Sequence, residues 1–351
     1  PKISAALRVQ ASGGRPHHHR KLQRKTGGKE IGAFCMVTHK TLMQCHDSAS
    51  YRWRHSALGT KRAMGKNAND FVINVATANG TGSQSSNLIL MHSLFEMGVP
   101  VSGKNLFPSN ISGLPTWFII RTSDRGYQAP GDKTDIQILM NKDTWMNDLE
   151  KLDPGTVVVY NQDVKLPLER EDCVLLGMPM TKMARGINPK LARLMANMYY
   201  VGALAHLLGI DQVAIDNALE SQFVGKEKAI ELNTRAISEG RAYAEENWDF
   251  ECQHCVEARE KDPGTFLVEG NEAVALGAIY GGITLLSWYP ITPSSSLAES
   301  IIGWLPELRS DGDGGATCAV VQAEDELAAA GMVIGAGWAG GRGMTCTSGP
   351  G

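Results

Sequence analysis

The sequence predicts an α/β protein of at least two domains, and three observations carry that reading. Its 351 residues exceed the roughly 100–200 that one domain usually holds. From Asp70 onward, short apolar runs alternate with helical stretches, the pattern of a parallel or mixed sheet sandwiched by helices. The 38 glycines fall largely at the junctions, as tight strand-to-helix turns require.

Composition excludes several function classes. A net charge of -3 argues against a nucleic-acid partner. No apolar run approaches the roughly 20 residues that span a bilayer, and no charged-then-apolar signal segment opens the chain, so a cytoplasmic protein is expected. Cys35, Cys45, Cys173, Cys252, Cys255, Cys318 and Cys346 are an odd, scattered set, which reads as reduced thiols rather than a disulfide framework.

Residues 1–66 differ from the rest. They carry fourteen lysines and arginines against Glu30 and Asp47, with a His17-His18-His19 triplet, and show neither helical periodicity nor alternation. A nucleic-acid arm and a transit peptide are the functional readings. The preferred one is a disordered or non-native extension, translated from upstream sequence or left from cloning, with Met64 as the natural start.

Residues 67–247 read as the first folded domain. Phe71–Ala76 is a buried strand, Ala78–Ser86 a glycine-rich turn and Asn87–Met97 a helix. Backbone N–H groups at such a helix start favour an anion, and Gly80 and Gly82 allow it close to the backbone. No carboxylate follows Val99-Pro100-Val101 to hold a ribose, which disfavours NAD. The alternative is a turn that merely packs helix on sheet. Gly103–Trp117 reads as a functional or interfacial loop. Strands are expected at 117–121, 136–140, 156–160 and 173–176, with helices at 144–152, 191–208 and 213–222.

Residues 248–265 read as a linker, closed by the Asp262-Pro263-Gly264 turn. The Cys252-Gln253-His254-Cys255 run within it has the spacing that begins a zinc or cluster site, but no second pair stands nearby to complete four ligands. Residues 266–351 form the second domain. Asn271-Glu272 is expected to cap a helix through Ala278, Ile283–Tyr289 to be a strand stopped by Pro290, and Ser296–Glu299 to be a capping box. Thr317–Val321 repeats the strand, Glu324-Asp325-Glu326 crowd the next helix start, and Met344–Thr347 begin a third strand. Those three acids are either helix-start capping, favoured by the macrodipole, or part of a site. Ligands of parallel sheets bind at such strand ends.

Taken in order, Gly80-Thr81-Gly82-Ser83-Gln84, Gly103–Ile111, Gly270–Ala278, Tyr289-Pro290-Ile291-Thr292-Pro293, Glu324-Asp325-Glu326 and Thr347–Gly351 resemble the motifs of the 2-oxoacid:ferredoxin oxidoreductases. The similarity is to the type whose gamma domain is fused ahead of the alpha subunit, most of all its 2-oxoglutarate branch. The resemblance implies a gamma-type α/β domain followed by a truncated pyrimidine-binding α/β domain for thiamine diphosphate. It implies a 2-oxoacid and coenzyme A as substrates and ferredoxin as acceptor. It also implies a hetero-oligomer of paired alpha and beta subunits, in which the beta subunit supplies Mg²⁺ with the diphosphate and a 4Fe–4S cluster. By motif position Glu326, with Glu324 as runner-up, is the carboxylic acid facing the aminopyrimidine ring. Thr292 is the residue reaching the substrate, and Tyr289, Pro290 and Ile291 line the cofactor. Ser83 and Ser85 stand where the family commonly has glycine, which weakens the assignment of Gly80 and Gly82 to coenzyme A. Arg342 is given no role, and Asp311-Gly312-Asp313-Gly314 reads as a surface turn. A non-catalytic nucleotide- or CoA-binding assembly subunit is the alternative.

Overall fold

A computed structural model describes the backbone of residues 34–38 and, with side chains, residues 66–106, 113–262, 264–310 and 315–349. The expected extension over residues 1–66 lies outside these, apart from Lys66 and a short strand β1 (Phe34–Thr38). So do residues 107–112 of the expected loop and the Asp311–Gly314 turn. The described residues fall into two compact units, one containing residues 66–267 and the other 268–349.

The first unit begins with β2 (Asn67–Ala68), β3 (Phe71–Ala78), α1 (Ser83–Glu96), β4 (Val101–Leu106) and β5 (Pro115–Thr122). It continues with β6 (Ile136–Leu139), α2 (Trp145–Glu150), β7 (Val157–Asn161), β8 (Val174–Met178) and α3 (Met180–Ile187). Helices α4 (Ala192–Leu208), α5 (Gln212–Gln222) and α6 (Glu227–Asn247) follow, then β9 (His254–Cys255). The sheet runs β4-β5-β3-β6-β7-β8, with β5 antiparallel to both its neighbours and β3, β6, β7 and β8 mutually parallel. Phe71, Ile73, Val75, Ala76, Ile136 and Ile138 are wholly buried, because helices cover both faces of the central strands and an uninterrupted apolar run fits there better than an alternating one.

Helices α4 and α6 cross closely. A Cβ on Gly202 would meet the Ile237 carbonyl, and one on Gly240 the Tyr199 carbonyl. Tyr200 at the centre of α4 donates to Asn87 Oδ1 of α1 at 2.8 Å, and burial raises its phenol pKa, so it remains a neutral donor.

Three sequence expectations shift here. Helix α1 begins at Ser83 rather than Asn87, because Gly82 is the left-handed residue before it (φ 83°) and Ser83 and Ser86 turn inward. Gly103 belongs to a strand, not a loop: β4 pairs with β5, and a Cβ there would strike Met91 of α1 and Phe118 of β5. Residues 248–262 are knitted into the unit rather than free. Strand β9 pairs in parallel with β2, Cys252 is buried, and Asn69 Nδ2 donates to the Glu257 carbonyl at 2.9 Å.

The second unit follows β10 (Thr265–Glu269) with α7 (Gly270–Tyr280), β11 (Leu285–Trp288), α8 (Ser295–Leu308), β12 (Ala319–Gln322), α9 (Glu326–Trp338) and β13 (Gly343–Met344). Its strands lie in the order β12-β11-β13, all parallel. Helix α7 packs on α8, and α9 lies against β11 and β13. Gly343 permits that approach, since a Cβ there would sit 3.1 Å from Val333. The capping box is at Glu269 and Glu272, which start α7; Ser296 lies inside α8, whose N-cap Ser294 makes no side-chain cap. Asn271 is inside α7 and does not cap it.

Candidate active site

The parallel register of the second unit sets three turns side by side. Trp288 lies opposite Gln322, and Leu286 opposite Met344. The chain therefore leaves β11 at Tyr289, β12 at Ala323 and β13 at Thr345 along one carboxyl edge of the sheet, the edge where such sheets bind ligands. Tyr289, Pro290, Ile291 and Thr292 follow β11 at that edge, and Glu326 opens the helix that follows the neighbouring β12.

The turn after β11 holds Thr292 exposed, with a cis Thr292–Pro293 peptide. Its backbone is tied on several sides. The Ile291 carbonyl accepts from Ser294 Oγ at 3.0 Å and Ser295 Oγ at 3.2 Å. Ser348 Oγ, from the segment after β13, donates to the Thr292 carbonyl at 2.9 Å. Cys346 Sγ donates to the Ser294 carbonyl at 3.6 Å, and burial raises its pKa, keeping the thiol protonated as that donor. Among the described residues none hydrogen-bonds the Thr292 hydroxyl, which leaves it for a ligand.

The three acids after β12 separate by role. Asp325 is the N-cap of α9 and its carboxylate accepts from Ala328 N at 2.7 Å. Glu324 is exposed in the bend before it. Glu326 is the first helical residue, half-buried, with no hydrogen bond or ion pair to any described residue. Asp325 thus meets the capping demand that could have claimed Glu326, and the Glu326 carboxylate is free at the edge. Beside it the outer face of α9 is bare: Leu327, Ile334 and Trp338 are 83%, 71% and 94% exposed. Arg342 is committed elsewhere, donating to the Gly281 carbonyl.

Gly80 and Gly82 lie in the first unit, in the turn between β3 and α1, both with positive φ. No side chain caps α1. Asn197 Nδ2 of α4 donates to the Thr81 carbonyl at 2.6 Å, a Cβ on Gly82 would sit 3.1 Å from Leu194, and the buried Gln84 Nε2 has no partner. Around Cys252 and Cys255, burial raises both thiol pKa values. Among the described residues, no three His, Cys, Asp or Glu side chains gather as a metal site.

Residues 72–243 match the family described as pyruvate ferredoxin/flavodoxin oxidoreductase, and residues 276–351 match its thiamine diphosphate-binding domain. The chain belongs to the 2-oxoacid:ferredoxin oxidoreductase family. Among these oxidoreductases it is 27% identical over 330 residues to the alpha subunit of 2-oxoacid:ferredoxin oxidoreductase 1 of Aeropyrum pernix, covering 80% of this chain and 51% of that one. It is 49% identical over 86 residues to the 2-oxoglutarate synthase subunit KorA of Methanothermobacter marburgensis, covering 24% of this chain and 21% of that subunit. The 2-oxoglutarate:ferredoxin oxidoreductase of Magnetococcus marinus, solved with 2-oxoglutarate, coenzyme A and succinyl-CoA bound, superposes with a TM-score of 0.70 at 30% identity, over 81% of this chain and 48% of that one. The chain therefore spans about half the length of such an oxidoreductase relative. No helix among the described residues is long and apolar enough to cross a membrane.

Asn271 and Ser348 are contributors to this edge that the sequence reading did not assign. Asn271 lies in the Gly270–Ala278 motif and reads locally as a cap, and Ser348 lies in the Thr347–Gly351 motif and reads locally as part of a turn. Their donors matter through partners 22 and 56 residues away, beyond any local pattern.

Proposed function

We propose that the second unit is the pyrimidine-holding half of a thiamine diphosphate site in an enzyme that oxidatively decarboxylates 2-oxoglutarate with coenzyme A, giving succinyl-CoA and carbon dioxide and passing electrons to a ferredoxin. The observation that carries this reading is the uncommitted Glu326 carboxyl at the carboxyl edge, beside a rigidly tied turn that presents a free Thr292 hydroxyl. The fit to the cofactor is chemical: an aminopyrimidine offers a ring nitrogen that a carboxyl can hydrogen-bond, and Glu326 is the one acid of its cluster both half-buried and unspent. When bound, thiamine diphosphate supplies the carbanion chemistry that cleaves the bond beside a keto group.

In this reading Glu326 would hold a proton against the ring nitrogen of the bound aminopyrimidine, the contact through which a carboxyl supports that group's carbanion chemistry. Thr292 donates its hydroxyl to the 2-oxoacid and orients the keto group. Tyr289, Pro290 and Ile291 wall the ring from water. A beta subunit supplies Mg²⁺, the diphosphate contacts and the 4Fe–4S cluster. The bare apolar face of α9 is the kind of surface such a neighbour covers. Preference for 2-oxoglutarate rests on the similar KorA subunits and on the Magnetococcus enzyme.

The full-length chain, co-expressed with its beta subunit, is expected to reduce a viologen dye only when both coenzyme A and 2-oxoglutarate are present. Absence of reduction with every 2-oxoacid overturns the reading, and preference for pyruvate redirects its substrate. A second role concerns the first unit. The uncapped start of α1 at Gly80 and Gly82, with the unpartnered Gln84 Nε2 nearby, suits an anionic group of coenzyme A. Calorimetric titration with coenzyme A checks it, and equal binding by a Gly82→Ala chain counts against it.

A further inference from the structure

We propose that Asn271 is a positioning residue for Thr292, acting through the backbone of the turn between β11 and α8. The proposal rests on Thr292 being the substrate-facing hydroxyl of the reading above.

Carbonyls from Ile291 to Ser294 successively accept side-chain hydrogen bonds. The donors differ in what they fix. Ser294, Ser295 and Ser296 belong to the turn and the first residues of α8, so they move with it. Asn271 belongs to α7, an element whose start is closed by the Glu269–Glu272 capping box and whose Ala275, Leu276 and Ile279 are buried. A bond from Asn271 therefore fixes the turn relative to the body of the unit.

Its geometry uses both amide hydrogens. Asn271 Nδ2 donates to the Pro293 carbonyl at 2.9 Å and to Ser296 Oγ at 2.6 Å, and Ser296 Oγ passes its own hydrogen to the same Pro293 carbonyl at 3.2 Å. The three groups close a small ring that leaves the carbonyl one orientation. Asparagine is a modest helix former, and the cap of α7 is already made by Glu269 and Glu272, so neither local role accounts for Asn271. Because the Thr292 hydroxyl has no partner among the described residues, its position depends on its backbone. The Pro293 carbonyl is the adjoining backbone group that Asn271 holds, while Ser348 holds the Thr292 carbonyl from the other side. Displacement of a positioning group by a fraction of an ångström is enough to lower turnover.

The test is a double-mutant cycle in the full-length chain assembled with its beta subunit. Asn271→Asp keeps the shape and removes both donors. Alone it is expected to lower kcat/KM for the 2-oxoacid roughly tenfold, the scale of one or two lost hydrogen bonds, with thiamine diphosphate affinity unchanged. In a Thr292→Ala background it is expected to add less than about twofold, since the two residues then act as one unit. Peptide-level hydrogen exchange over residues 289–297 is expected to quicken in Asn271→Asp without a change in exchange through α7. Additive losses, or unaltered exchange at the turn, overturn the proposal while leaving Thr292 in place. A Thr292→Ala enzyme with unimpaired kinetics overturns the functional reading beneath it. If Asn271→Asp fails to assemble, Ser296→Ala opens the same ring from the other side and is read in the same cycle.

Discussion

Two strand-to-helix turns in this chain do similar geometric work by opposite means. Between β3 and α1, the chain turns on Gly80 and Gly82, whose left-handed backbone no side chain shares comfortably, and the turn is held by packing against Leu194, by Asn197 on the Thr81 carbonyl, by the Thr81 hydroxyl on the Ala78 carbonyl and by backbone bonds from Asn79 to Leu114 and from Gly113 to Asn79. Between β11 and α8, Tyr289–Ser294 contains no glycine, and its carbonyls are pinned by Asn271, Ser348, Cys346 and its own serines. The first arrangement leaves backbone N–H groups open to an anion. The second locks the backbone and leaves a side chain open. A turn that presents N–H groups needs freedom from Cβ atoms, whereas one that presents a hydroxyl needs its peptide groups spent elsewhere.

That contrast is broken most sharply at Glu326. Glu326→Gln is expected to reduce turnover of the assembled enzyme by at least about 100-fold, the usual worth of a proton-handling group, with an unchanged unfolding midpoint, because nothing in the described residues bonds to the carboxylate. A viologen-reduction assay beside a thermal melt checks both halves; retained turnover shifts the acid to Glu324. Next in size is Gly82→Ala. A φ of 83° combined with a 3.1 Å approach to Leu194 predicts a loss of about 1–3 kcal/mol in urea unfolding. Loss well below that range means α4 yields, and the first turn is less packed than the contrast requires.

Much of this architecture was legible in the chain because it rests on local pattern. The apolar run at Phe71–Ala76 and the strand ending at Pro290 declare themselves by composition, and so does the small-residue helix after Glu326. Less legible was everything decided by what lies across the fold. Gly103 looks like a loop residue until α1 is placed over it. Asn271 looks like a cap until Pro293 and Ser296 are seen beside it. Ser296–Glu299 has a capping-box spacing, yet the helix starts two residues earlier, with Ser294 as its N-cap, and the box forms at Glu269 and Glu272. Glu326 could be named from its motif, but its release from capping needed Asp325 to be seen bonding Ala328 N. Local spacing states what a residue is able to do; a competing partner decides which of those things it does.

A smaller effect separates Asp325 from its neighbour. Asp325→Ala removes the N-cap of α9 and is expected to cost about 1 kcal/mol, measured by urea unfolding, whereas Glu326→Gln leaves stability unchanged. Equal losses at both positions end the division between a capping acid and a free one.

The smallest effect concerns pH, and it too divides the two units. Tethers on the Tyr289–Ser294 turn come from amide, hydroxyl and protonated thiol groups, none of which changes charge between pH 5.5 and 7.5. His254 in the first unit does. Its imidazole lies with Nε2 3.7 Å from Asp135, its side chain only 13% exposed and its ring edge-on to Phe71, while Nδ1 is buried without a partner. Burial lowers its pKa below the ordinary 6.5, with Lys133 acting in the same direction and Asp135 and Asp70 opposing it. In the unfolded chain the histidine takes up its proton as pH falls through about 6.5, before the folded chain does, so over that window the unfolded state binds more protons and stability declines. The decline ends below the lowered folded pKa, where both states are protonated. Denaturant midpoints at pH 7.5 and 5.5 are therefore expected to fall in the parent chain and to differ less in His254→Gln. In the same window, hydrogen exchange at residues 289–297, corrected for the intrinsic pH dependence of exchange, is expected to stay constant. A midpoint that rises on acidification would place the carboxylates Asp135 and Asp70 in command of that histidine.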